Sequence, residues 1–122
     1  MRQVPTRNGP AGDREANNVG RIRMTYATAR VLLALDEGLK YGFDIAEAAG
    51  LRGGTVYPIL RRLEEEGLAK STWERPEIGR REGRPPRKYY QLRAAAQPLV
   101  REARERFPFP LRDSGMSPER AR

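Results

Sequence analysis

The sequence contains neither cysteine nor histidine among its 122 residues. Disulfide bonds, thiolate nucleophiles, the usual zinc ligands and imidazole acid–base catalysis are therefore excluded. Long apolar runs are also missing, since the longest, residues 31–35, is much too short to span a bilayer. No apolar signal-peptide core follows the N-terminal charges. These absences predict a cytoplasmic protein that is not an enzyme, with no cofactor, no metal site and no membrane partner.

Acidic residues are outnumbered by basic ones, with 24 Lys and Arg against 16 Asp and Glu, a net charge of +8. The isoelectric point of about 10.6 favours a polyanionic partner, with nucleic acid first and an acidic membrane surface second. The same charge also suits a surface that is merely soluble. Charge alone therefore leaves the partner open.

Both ends of the chain are rich in glycine, proline and charge and have no helical or strand period. Residues 1–21 are predicted to form a flexible basic arm and residues 108–122 a disordered tail, which leaves one domain over residues 22–107. Helical periods in "TYATARVLLALDEG", "FDIAEAAG" and "GGTVYPILRRLEEEGL" precede two strand-like segments, "LAKSTWE" and "RKYYQLR". A short helix is predicted from Gln97, with Pro98 in its first turn. This order predicts a mainly α fold with a small β-hairpin (α+β), a winged helix-turn-helix with a C-terminal helix.

The first helix is apolar on two sides, which indicates that it packs on two sides. One stripe faces the core, and the second consists of Tyr26, Ala29 and Leu33. The second stripe either meets another chain or is covered by the domain's own last helix, and the pattern alone favours neither. We predict dimerisation through this stripe together with the apolar residues of the last helix, Leu99, Val100, Ala103 and Phe107.

The third helix is predicted to read DNA, because its N-terminal half is uncharged or basic and its C-terminal half is acidic, as in a helix that inserts its N-terminal end into a major groove. Thr55 is the expected N-cap, which places Pro58 in the first turn, where its missing N–H costs no hydrogen bond. An ordinary amphipathic helix with a solvated face is the alternative. The residues predicted to face DNA are Gly54, Thr55, Tyr57, Pro58, Arg61 and Arg62.

Between the two strands, "RPEIGRREGRPP" contains two glycines, three prolines and four arginines. This composition predicts a hairpin with a long basic tip, a wing that follows a phosphate backbone or enters a minor groove. Trp73, the one tryptophan, is interpreted as core or edge packing rather than as an effector-stacking residue. The cations assigned to the wing are Arg75, Arg80, Arg81, Arg84, Arg87 and Lys88.

"YGFDIAEA", "GGTVYPILRRLEEEGLAKSTWE" and "GRPPRKYYQL" together resemble the PadR-like winged helix-turn-helix regulators over residues 26–107. The resemblance implies a transcriptional regulator, usually a repressor, that binds a pseudo-palindromic operator in double-stranded DNA as a homodimer. It also implies a small-molecule effector, frequently aromatic, whose identity the residues do not give.

The chain departs from the family pattern in two places. The linker "GLRG" is shorter than usual, and Arg93 stands where a capping Thr is usual. Together with Pro98, this predicts a short last helix and a small dimer interface. The alternative function is a winged helix used as a protein-interaction module, with its basic wing docked on an acidic partner.

Overall fold

The helices and strands follow the predicted order over residues 22–112, the part of the chain that the computed structural model describes. Residues 1–21 and 113–122, which contain the predicted arm and most of the predicted tail, lie outside the described residues. Seven elements and one short 3₁₀ turn, Ala94–Ala96, make up the fold. They are α1 (Tyr26–Asp36), α2 (Gly42–Ala49), α3 (Gly53–Glu65), β1 (Ala69–Trp73), α4 (Pro76–Glu82), β2 (Lys88–Leu92) and α5 (Gln97–Arg106).

Local signals in the sequence account for most helix ends. The Thr25 side chain accepts a hydrogen bond from the Thr28 amide at 3.1 Å and caps α1 as predicted. Gly50 ends α2 in the left-handed conformation, with φ at +73°. Pro98 lies in the first turn of α5, where a proline needs no amide hydrogen.

The predicted start of α3 is wrong. The helix begins at Gly53, and the amides of Thr55 and Val56 both donate to the Arg52 carbonyl. Thr55 is therefore not the N-cap, and Pro58 lies inside the helix rather than in its first turn. The interior proline is tolerated because the carbonyl that it leaves unpaired belongs to the exposed Gly54, where water can reach it.

The two strands form an antiparallel hairpin whose register runs from Ala69 opposite Leu92 to Trp73 opposite Lys88. Its base is attached to the loop between α1 and α2, because the Tyr90 amide donates to the Lys40 carbonyl at 2.8 Å. Tyr90 is buried and Tyr89 is half-buried, as strand alternation predicts. The hairpin is thus held against the helices at one end and projects at the other.

The hydrophobic core joins α1, α2, α3, the base of the hairpin and α5. Each fully buried leucine in it contributes about 1.5–3 kcal/mol relative to an exposed one. The largest of the fully buried side chains are Leu32, Ile45, Leu60, Leu63, Leu68 and Leu99. Because three of these lie on α3 or directly after it, the rotation of α3 about its own axis is fixed.

The second stripe of α1 is covered by α5 of the same chain, which corrects the prediction that it is left over as a surface. Ala29 and Leu33 are buried, and so are Leu99, Val100 and Ala103 on α5. Tyr26 stays half-exposed, and its ring meets Phe107 edge to face with centroids 5.8 Å apart. Both apolar sides of α1 are therefore buried within one chain.

The chain continues past α5 as an ordered segment, residues 107–112, named here the C-terminal strap. Arg30 on α1 is only 2% exposed, and its guanidinium donates to the carbonyls of Phe109 at 2.7 Å and Pro110 at 3.0 Å. Its Nε donates to the Ala49 carbonyl at 3.4 Å. A buried guanidinium needs acceptors, so the predicted boundary at residue 107 lies too early.

Candidate nucleic-acid interface

The six α3 residues predicted to face DNA are all exposed, whereas Val56, Leu60 and Leu63 of the same helix are buried. Within residues 22–112, neither the Arg61 nor the Arg62 side chain has a hydrogen-bond or ion-pair partner. Long cationic side chains without partners can reach phosphates and the acceptor edge of guanine. The exposed residues are Gly54, Thr55, Tyr57, Pro58, Arg61 and Arg62.

Tyr57 has a packing role that the sequence did not reveal. Its ring lies so close to Gly42, at the start of α2, that a Cβ on that glycine would overlap it. A Cβ on Gly53 would lie 3.3 Å from ring carbon Cε2. The two glycines therefore make room for the ring, which joins the beginnings of α2 and α3 while 48% of the residue stays exposed.

The long basic tip that was predicted for the wing contains a helix, α4, which was not predicted. Pro76 occupies the first turn of α4, and Glu77 places a negative charge near the positive N-terminal end of the helix dipole. Gly83 ends the helix with φ at +70°. The chain returns tightly over it, since the Arg84 amide donates to the Gly79 carbonyl at 2.9 Å. A Cβ on Gly79 would lie 2.6 Å from the Arg84 carbonyl oxygen.

Arg84, predicted to contact DNA, is instead part of the wing's internal structure. Its Nη1 and Nη2 bind Oε1 and Oε2 of Glu74 at 2.7 and 3.0 Å. Glu74 is 5% exposed, and its Oε1 also accepts from the Arg87 amide at 3.1 Å. The hydrogen bonds from Arg84 lower the pKa of Glu74 despite its burial. The carboxylate thus ties β1 to the chain that returns from α4.

The other predicted wing cations stay available to an external anion. Arg75, Arg80, Arg81 and Arg87 are exposed, and Lys88 is half-buried. Arg80 and Arg81 lie in the last turn of α4 and have no ion-pair partner among residues 22–112. The structure thus presents arginines on both α3 and the wing, the two elements that contact DNA in winged helices.

Two exposed aromatic residues near this surface were not predicted as site residues. Phe43 on α2 is 65% exposed and Trp73 at the end of β1 is 62% exposed. Because side chains alternate along a strand, Trp73 lies on the same face of β1 as the buried Ala69. At the far end of the strand that face is exposed to solvent. Of the two packing roles predicted for Trp73, the core role is therefore wrong, and the edge role is the one left.

Residues 22–112 hold no group of three or more acidic, histidine or cysteine side chains arranged to bind a metal ion. No helix among them is long and apolar enough to cross a membrane.

Comparison with known proteins gives a consistent result. The sequence pattern of the transcriptional regulator PadR-like family matches residues 31–101. A PadR family transcription regulator from Clostridium difficile R20291 is similar in structure, with a TM-score of 0.57 and 24% identity, over 70% of this chain and 90% of that chain. A PadR-like transcription factor from Bacteroides fragilis is similar with a TM-score of 0.53 and 25% identity, over 80% of this chain and 89% of that one.

A MarR family transcription regulator shares the fold at 16% identity and a TM-score of 0.54, over 75% of this chain and 57% of that chain. None of the curated proteins matches this chain.

Proposed function

Because the chain belongs to the PadR-like family of transcriptional regulators, we propose that it binds double-stranded DNA with α3 in the major groove and the wing on the phosphate backbone. Members of this family regulate transcription and are not enzymes. In this proposal α3 reads bases through Arg61, while Arg62 and the wing arginines hold the duplex.

The observation that carries the proposal is the pair of exposed arginines on α3, whose side chains have no partner among residues 22–112. Leu60 and Leu63 are fully buried, so α3 cannot rotate about its axis without exposing its apolar face. Arg61 and Arg62 are consequently held outward. Arg80 and Arg81 on α4 add two further exposed cations beside the hairpin. Several phosphate contacts are needed before counterion release gives substantial affinity, and these residues supply them.

Assembly and regulation belong to the same proposal. One reading helix covers a few base pairs, and a two-fold operator places two of them about 34 Å apart. We therefore propose a homodimer that occupies a pseudo-palindromic operator in the cytoplasm and represses by blocking access to it. A small-molecule effector is part of the proposal, without an assigned site.

Selection of bound sequences from random duplexes tests the reading role of Arg61. We expect the parent to enrich one two-fold motif, and Arg61→Ala to lose preference at one base pair of each half-site. The loss should correspond to about 1–3 kcal/mol if the arginine binds a guanine through two hydrogen bonds. Arg101→Ala, which removes an exposed arginine from α5, is the matched control and should leave the motif unchanged.

Two results would contradict this proposal. An Arg61→Ala motif identical to the parent's would show that Arg61 reads no base. A parent that enriches no motif, although it binds duplexes in a salt-dependent manner, would show that the surface recognises charge alone.

A further inference from the structure

An aromatic groove lies between the N-terminal ends of α2 and α3 and the part of the hairpin where β1 ends and β2 begins. It has a volume of about 500 Å³, and its only acidic lining residue is Asp44. We infer that this groove binds an unstacked nucleobase of single-stranded DNA, a ligand beyond the duplex of the proposed function. The residues that carry the inference are Tyr41, Phe43, Tyr57, Trp73, Arg87 and Lys88.

The rings of the groove are exposed yet held in position. Phe43, Tyr57 and Trp73 each keep about half or more of their surface in water, and clustered exposed apolar surface marks binding sites. The Tyr57 ring rests against Gly42 and Gly53. Tyr41 stacks edge to face on Tyr89, with centroids 5.5 Å apart. Two walls of the groove therefore exist before any ligand arrives.

The cations of the groove lie next to its rings. The Lys88 ammonium is 5.6 Å from the centre of the Trp73 ring, and the Arg87 guanidinium is 5.3 Å from the centre of the Tyr41 ring. A nucleotide presents a flat π-face and a phosphate a few ångströms apart. Stacking on exposed rings with the phosphate on adjacent cations is how single strands bind without sequence readout.

Access to the face of a base decides between single-stranded and duplex DNA as the occupant of the groove. In a duplex both faces of each base are covered by its neighbours, so aromatic side chains reach a base face only where the base is unpaired or extruded. Arg61 and Arg62 on α3 suit the groove edges of a duplex, whereas the exposed rings of Phe43 and Trp73 suit the face of a free base. The groove shares Tyr57, Arg87 and Lys88 with the surface proposed for the duplex. Phe43 and Trp73 belong to the groove alone, and they are the residues that distinguish a free base from a paired one.

The position of Trp73 supplies a direct assay, because it is the one tryptophan of the chain. We expect its fluorescence to be quenched on titration with an oligothymidine of about 12 nucleotides, a length within the usual site sizes. An abasic oligonucleotide of equal length carries the same phosphates without bases, and it should bind more weakly and leave the fluorescence unchanged.

A pair of matched variants separates stacking from general charge. Phe43→Ala should weaken binding of the oligothymidine about tenfold, the effect expected for one lost stacking contact, and should leave the affinity for a paired duplex unchanged. Arg101→Ala removes an exposed cation from α5, outside the groove, and should change neither affinity.

The inference is overturned if oligothymidine does not quench Trp73, if the abasic strand quenches equally, or if Phe43→Ala and Arg101→Ala behave alike. These failures would leave the duplex motif and its dependence on Arg61 intact. Loss of the duplex motif with retained quenching would contradict the proposed function and support the groove.

Discussion

A single buried carboxylate, that of Glu74, organises the wing. It receives two hydrogen bonds from the Arg84 guanidinium and one from the Arg87 amide, so its charge is compensated where it is out of water. Arg84 also binds Glu82 at 3.1 Å. Removal of Arg84 would leave the Glu74 charge buried without an ion-pair partner, which is more costly than the absence of both.

Glu74→Gln is expected to destabilise the wing in a pH-dependent way. The folded-state pKa of Glu74 is lowered from its ordinary value of 4.5, so the ionised form contributes stability above that pH. The contribution is lost as the pH falls through the lowered pKa. The gap in melting temperature between parent and Glu74→Gln should therefore be constant near neutral pH and narrow below about pH 4.5.

Glu65→Gln, at an exposed position of α3, is the control for this measurement and should leave the melting temperature near that of the parent. A gap for Glu74→Gln that stays constant down to pH 2 would show that the charge of Glu74 plays no part in holding the wing.

The sequence could predict how many cations the wing carries but not which of them are free. "RPEIGRREGRPP" contains Arg80, Arg81 and Arg84 in equivalent-looking surroundings. Whether one of them pairs internally depends on where Glu74 lies after the hairpin closes, which is a long-range property. The same limit applied to Trp73, since its burial depends on whether another element covers the end of β1.

At the scale of whole elements, α4 depends on the close approach of two backbone segments. The chain passes over Gly79 within van der Waals distance, so no side chain fits there without moving the backbone between Arg84 and Pro86. Gly79 is thus a packing residue. It holds Arg80 and Arg81 at the outer end of the wing.

Gly79→Ala is expected to loosen the wing by about 1–3 kcal/mol, the usual range for overpacking. Hydrogen exchange followed by mass spectrometry should show faster exchange over residues 76–88, with little change in the helices of the core. Gly54→Ala is the control, because a Cβ there meets nothing within 4 Å, and alanine in a helix is stabilising by about 0.5–1 kcal/mol. Unchanged exchange in Gly79→Ala would mean that the turn tolerates a side chain.

Periodicity predicted five of the seven elements closely, namely α1, α2, β1, β2 and α5, since each has a clear apolar pattern and a local end signal. The start of α3 was predicted three residues late, because Thr55 and Pro58 together imitate a capped first turn, whereas the N-cap is Arg52. The Tyr57 ring lies where a Cβ on Gly42 or Gly53 would crowd it, a long-range contact that the local pattern does not contain. The helix α4 was missed because seven residues are too few to show a period.

At the scale of the whole molecule, the apolar surfaces first assigned to dimerisation lie inside one chain. The packing of α1 on α5 buries Ala29, Leu33 and Val100. What stays exposed outside the aromatic groove is a smaller aromatic cluster of Tyr26, Phe107 and Phe109, with ring centroids 5.8 and 6.4 Å apart. If the proposed homodimer forms through α1, this cluster is the surface that it would use.

Two substitutions distinguish these surfaces in sedimentation and far-UV circular dichroism. Phe109→Glu should yield a folded monomer, because its side chain is half in water already. Leu33→Glu should unfold the chain, because it buries an unpaired charge at a cost on the order of 3 kcal/mol or more. A folded, dimeric Phe109→Glu would exclude the aromatic cluster as the interface, and a folded, monomeric Leu33→Glu would restore the original assignment.

The contacts of Arg30 also set the place at which the chain can be cut. A chain shortened to end at Phe107 would keep every helix and strand, yet it would remove two of the three carbonyls that accept from this buried guanidinium. It would also remove the Arg112 amide from the end of α2, where it donates to the Ala48 carbonyl at 2.8 Å. The shortest fragment that folds stably is therefore expected to end at Arg112, six residues beyond the end of α5. Its last residues accept hydrogen bonds from the buried Arg30 guanidinium and donate one to the end of α2.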